Sequence, residues 1–136
     1  MYKIYSTQEK EKLLHIVMRC SDIGERTEIC PSDNFIQCAS MKLSKGTKFK
    51  PHIHIYKERH YTNQIAQESW VVIKGRVKCY FYDINGLFLE SCVLRQGDTS
   101  FTLHGGHTYE ILEDDTIIYE YKTGPYEGQE HDKVFI

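Results

Sequence analysis

The chain has 136 residues, 40% hydrophobic and 26% charged, with a mean hydropathy of −0.50, which is the length of one domain and too apolar for disorder. A net charge of −2 leaves no clustered positive excess, which excludes nucleic acid and an anionic membrane as partners. Five cysteines without a CxxC pair fit neither a disulfide framework nor a zinc ribbon, and point to a reducing cytoplasm. The opening MYKIYSTQEKEK lacks the apolar stretch of a signal peptide, and no apolar run is long enough to span a bilayer.

The first predicted element is a helix. Ser6-Thr7-Gln8-Glu9 has the spacing of a capping box, in which Ser6 and Glu9 satisfy the first orphan N–H groups reciprocally. Leu13, Leu14, Ile16, Val17, Met18 and Cys20 then place apolar side chains around the helical period. Residues 1–34 are expected to form this helix and an arm, lying against a larger body. From Phe35 the period becomes two. Phe35–Leu43 reads as a strand that stops at Ser44-Lys45-Gly46, and Trp70–Ile73 as a strand that turns at Lys74-Gly75. Val77, Cys79 and Phe81 alternate with Lys78, Tyr80 and Tyr82 up to Asn85-Gly86, a strong hairpin signal. The return strand is Leu87–Leu94, closed by Gln96-Gly97-Asp98. Further strands are predicted around Thr99–Leu103, Tyr109–Leu112 and Thr116–Tyr121. Short strands with glycine turns at this spacing predict an all-β sandwich or barrel over residues 35–136.

Five of the seven histidines fall between His52 and His107. In an extended His52-Ile53-His54 segment the two imidazoles share a face about 7 Å apart and can converge on one cation; such a pair is also compatible with a solvated strand face. The spacing around it carries more. Gly46, five residues, His52, one residue and His54 are followed by Glu68, six residues and Gly75, then by Gly97-Asp98 and His107. In these residues the chain resembles the cupin superfamily, whose motifs are G-x5-H-x-H-x3,4-E-x6-G and G-x5-P-x-G-x2-H-x3-N. It departs from them at several points. Thirteen residues separate His54 from Glu68, Leu103 replaces the proline, His107 comes one residue early, and the final asparagine is missing. Glu58 satisfies the shorter spacing but leads to no strand ending at a glycine, so Glu68 is the preferred carboxylate.

The resemblance implies a single cupin double-stranded β-helix, or jelly-roll barrel, with a short N-terminal helix. His52, His54, Glu68 and His107 would hold one divalent metal ion (Fe, Mn, Ni or Zn). The runs QESWVVIKG, GDTSF and IIYEYKTGPY are similar to those of small bacterial cupins that accompany surface-polysaccharide and sugar-nucleotide pathways. A homodimer is a state common among cupins, and the similarity implies a metal-dependent enzyme on a small polar, carbohydrate-derived substrate. Its chemistry would be Lewis-acid and acid/base catalysis of the isomerase or epimerase kind. An Fe(II)-dependent dioxygenase and a non-catalytic metabolite- or sugar-binding cupin are the alternatives.

His60, His104 and Tyr109 are candidate catalytic residues. Arg59 and Tyr61, on the polar insert 57–67, and Trp70 are candidate substrate contacts. An inward Glu68 puts Trp70 and Val72 inward too. Val71 and Ile73 then face outward and need cover from the N-terminal helix or a second subunit. The apolar end Val134-Phe135-Ile136 suggests docking on the barrel or on a neighbour. The cysteines are expected to be buried, inert thiols, with only Cys79 beside a basic residue, Lys78.

Overall fold

Strand-forming sequence accounts for nearly all of the regular structure. In the computed structural model, which describes residues 1–52, 54, 65–123 and 133–136, ten strands follow one another. They are β1 (Tyr2–Tyr5), β2 (Leu13–Met18), β3 (Arg26–Glu28), β4 (Ala39–Met41), β5 (Glu68–Lys74), β6 (Arg76–Tyr82), β7 (Phe88–Arg95), β8 (Thr99–Thr102), β9 (Gly106–Ile111) and β10 (Ile117–Lys122). The all-β expectation holds. Among the described residues the one helical element is a single 3-10 turn, Cys20–Asp22, and no helix is long and apolar enough to cross a membrane.

The strands form two open antiparallel sheets and a small ribbon. One sheet has the order β1-β2-β8-β5-β10, the other β7-β6-β9, and β3 pairs with β4. Ile4, Val17 and Val72 of the first sheet share one core with Val77, Cys79, Phe81 and Leu94 of the second. Such face-to-face burial of two alternating surfaces is the logic of a β-sandwich. A second core lies on the other side of β2 and β8, where Ile16, Met18, Phe101 and Leu103 pack against Ile29 and Cys30.

The expected N-terminal helix is absent, and strands β1 and β2 take its place. The reason lies in β2. Val17 faces one core and Ile16 and Met18 the other, so the strand is apolar at almost every position. A strand buried on both faces loses its period-two signature and cannot be told from a buried helix by pattern alone. The Ser6 signal is physically real but serves another structure. Ser6 Oγ accepts from the N–H groups of Gln8 and Glu9, both at 3.0 Å, as an N-cap does. The turn it starts is ended by Glu11 at φ 67° and by Ser6 N–H donating to Lys12 O at 2.9 Å.

Turn chemistry fixes the remaining connections. Asn85-Gly86 does join β6 to β7, with Gly86 at φ 80°. Gly75, at φ 87°, carries the chain from the five-stranded to the three-stranded sheet. A Cβ there would stand 2.3 Å from Thr116 Oγ1 and 3.1 Å from Thr116 Cα, so the crossover needs both the left-handed conformation and the missing side chain. The predicted strand Phe35–Leu43 is shorter than expected. Only Ala39–Met41 pairs, with β3, while Ile36 and Cys38 pack against the second core.

Candidate functional site

Alternation along β5 points Glu68, Trp70 and Val72 at the three-stranded sheet, the phase expected from the sequence. Glu68 and Val72 are buried and Trp70 is half-buried. From the facing sheet, β9 contributes His107 and Tyr109; from the neighbouring strand, β10 contributes Glu120, which pairs with Trp70. These five residues meet. His107 Nε2 donates to Glu68 Oε1 at 3.0 Å. Trp70 Nε1 donates to the same Glu68 oxygen and to Glu120 Oε2, each at 3.1 Å. The Trp70 and Tyr109 rings are stacked, with centroids 3.9 Å apart and planes 8° from parallel.

They line a cleft of about 1020 Å³, which Lys133 and His104 also border. Burial disfavours the charge on Glu68. The His107 hydrogen bond and charge, helped by Lys133 and the Trp70 N–H, outweigh it and hold the carboxyl below its usual range. Burial pushes the Tyr109 phenol far up, and its hydroxyl lies 3.2 Å from Ser100 Oγ. Tyr109 is therefore a protonated wall of the cleft at neutral pH. Burial also lowers the pKa of His104, which favours a neutral imidazole there.

The remaining sequence candidates fall elsewhere. His52 and His54 are exposed, with ring centroids 5.0 Å apart, and His52 Nδ1 donates to Lys50 O at 3.1 Å. Neither shares a hydrogen bond with Glu68 or His107 among the described residues. Glu58, Arg59, His60 and Tyr61 lie outside those residues. Among the described residues no group of three or more His, Cys, Asp and Glu side chains is gathered as a metal site.

The 3.0 Å separation of Glu68 Oε1 and His107 Nε2 is that of a hydrogen bond, and with the shared proton displaced the pair offers one carboxylate oxygen and one ring nitrogen as neighbouring donors. The mixed N and O donor set also suits a borderline divalent metal.

Two residues near the cleft escaped the sequence reading. Glu120 is an acidic residue in the apolar run Ile117-Ile118-Tyr119-Glu120-Tyr121 and shares the inward phase of Ile118; that interruption was its only signal. His15 is wholly buried on β2. Its Nε2 donates to Tyr82 O at 3.2 Å and its Nδ1 lies 3.1 Å from Thr102 Oγ1. No family model, curated protein or solved structure matches this chain.

Proposed function

We propose that the chain is a metal-dependent enzyme of the cupin kind, with the strands completing a jelly-roll barrel, that acts on a small polar, carbohydrate-derived substrate. The observation that carries this reading is the Glu68–His107 pair, a carboxylate oxygen and an imidazole nitrogen 3.0 Å apart in an aromatic-walled cleft. Glu68 and His107 would hold a divalent ion, and His52 and His54 are the further donors that the resemblance assigns. Bound there, such an ion polarises a carbonyl or hydroxyl oxygen.

The chain's own residues supply the rest of the chemistry. The Trp70–Tyr109 wall offers a flat apolar surface to one face of a ring, and the neighbouring carboxylates accept hydrogen bonds from its hydroxyls. His104, kept neutral by burial, is the base within the cleft, and the reaction is isomerase- or epimerase-like proton movement. We also take the protein to be a cytoplasmic homodimer. The outer face of β5 and β10, where Ile73, Tyr119 and Tyr121 are exposed, has no cover among the described residues and fits a second copy.

Elemental analysis of untagged protein tests the metal. The expected result is one equivalent of a divalent ion per chain after repletion, lost in Glu68→Gln and in His107→Ala. Wild-type protein that takes up no stoichiometric metal under either condition would refute the proposal. Iron as the only metal retained, with oxygen consumed on turnover, would shift the reading to the dioxygenase.

A further inference from the structure

Two free cysteines stand directly opposite one another in the three-stranded sheet. Cys79 of β6 is the register partner of Cys92 of β7, so both side chains leave the same face of the ribbon. Cys79 is fully buried in the core between the sheets, and Cys92 is half-buried at its edge. Directly paired antiparallel residues have Cα atoms about 4.5–5.5 Å apart, within the span a disulfide bridges.

The surroundings of the two sulfurs differ. The Cys79 thiol, the Tyr2 hydroxyl and the Arg19 guanidinium all favour the charged form of Cys92, whose pKa comes down to about 7. The Cys79 pKa is instead driven up, by its hydrogen bond to Cys92 and by burial. One thiol is thus partly ionised and reachable, and the other is protonated and sealed behind it. A second cysteine pair serves as a built-in contrast. Cys30 and Cys38 also lie near one another, but burial raises both, Cys30 to about 11.

We propose that Cys79 and Cys92 form a reversible disulfide in response to a hydroperoxide, and that the pair is coupled to the Trp70–Tyr109 wall. Cys92 thiolate attacks one peroxide oxygen. The O–O bond breaks, Cys92 becomes a sulfenic acid, and the other oxygen leaves as an alcohol or water after taking up a proton. Cys79 then displaces the sulfenic hydroxyl, the S–S bond forms and water departs. The two cysteines lose two electrons, and the peroxide gains them. The route to the cleft is short. Ser100 hydrogen-bonds the Cys79 thiol, its hydroxyl lies 3.2 Å from Tyr109 OH, and Tyr109 stacks on Trp70. Drawing Cys79 onto Cys92 takes a partner from Ser100 and resets the Tyr109 hydrogen bond.

Lys78 and Arg95 flank a segment without other basic residues, so trypsin releases both cysteines on one peptide, 79–95. Untagged full-length protein is treated with hydrogen peroxide, alkylated and digested. The expected peptide has lost two hydrogens and takes up no alkylating reagent, and dithiothreitol restores two alkylated sites. Emission from Trp70, the single tryptophan, should shift on oxidation and return on reduction. Cys92→Ser should abolish both effects, and Cys79→Ser should leave a sulfenic acid at Cys92 that dimedone traps. In reduced protein at neutral pH, Cys92 should alkylate at least about tenfold faster than Cys30. A peptide 79–95 that remains doubly alkylated after excess peroxide, or oxidation that falls first on Cys30 and Cys38, would overturn the proposal. A disulfide formed with no change in Trp70 emission would overturn the coupling.

Discussion

His15 shows how a single buried side chain sets a pH limit on the fold. Its ring is enclosed by Phe81, Thr102 and the Tyr82 carbonyl, and burial lowers its pKa to about 4, against about 6.5 when unfolded. A depressed histidine pKa means that the unfolded chain binds the proton more readily than the folded one. Its contribution is therefore complete above about pH 6.5 and is lost as the pH falls towards 4, by roughly 3 kcal/mol in all. Urea denaturation between pH 7.5 and 4 should show that slope, and His15→Gln should flatten it. Asp83 extends the acid sensitivity downward. Burial opposes its charge, but hydrogen bonds from Ser6, Ile84 and Thr7 hold its pKa far below the carboxylate range, so its contribution is present above about pH 4 and fades below. Glu120 acts on Trp70 instead. Being exposed, it should cost less than about 1 kcal/mol as Glu120→Ala, yet removing one of the two acceptors of the indole N–H should move the tryptophan emission. An unchanged spectrum would show that Glu68 alone fixes the ring.

Among the elements, those that turn on local chemistry were readable and those that depend on tertiary context were not. The β6–β7 hairpin follows from Asn85-Gly86 and from alternation, and the inward phase of Glu68, Trp70 and Val72 follows from period two on β5. Four of the five residues that meet were named from the sequence: Glu68 and Trp70 share a phase, His107 follows from its spacing after Gly97, and Tyr109 is one of several strand tyrosines. Glu120 was not, because its relevance comes from the pairing of β10 with β5 across some fifty residues of chain. Strand β2 was hidden for the opposite reason, since packing on both faces removes the polar positions that mark a strand. Gly75 was legible as a turn, but the proximity of Thr116 was not. Gly75→Ala combines an unfavourable φ with that contact, and should lower stability by about 2 kcal/mol or more, seen as a reduced melting temperature. A melting temperature equal to wild type would mean that the β10 approach yields easily.

At the scale of the whole molecule, the described residues leave one apolar sheet face exposed. The second core covers the outer side of β2 and β8, but β5 and β10 at the other end of the same sheet present Ile73, Tyr119 and Tyr121 to solvent, the two tyrosines at 56% and 58% exposure. Strand β10 is also the last in the order of that sheet among the described residues. Sheet edges tend to pair with another chain unless they are guarded by charge or cover. Light scattering should give twice the 16.0 kDa chain mass, and the double substitution Tyr119→Glu, Tyr121→Lys should return it to one. A wild-type protein that stays monomeric at high concentration would remove this face as the dimer contact.

The position of β2 has a consequence in time. Val17 pairs with Ser100 and Met18 with Thr99, so the strand that walls both cores must wait for residues made some eighty positions later. Until β8 leaves the ribosome, β2 has only β1 beside it in the sheet; Ile29 and Cys30 can reach its Ile16 and Met18 face, but the Val17 face waits for Val72 and the second sheet. Strand partners this far apart close slowly, because the loop between them must be ordered before any contact rewards it. Synthesis of this chain therefore leaves one face of its most apolar strand uncovered until β5 and the second sheet have been made.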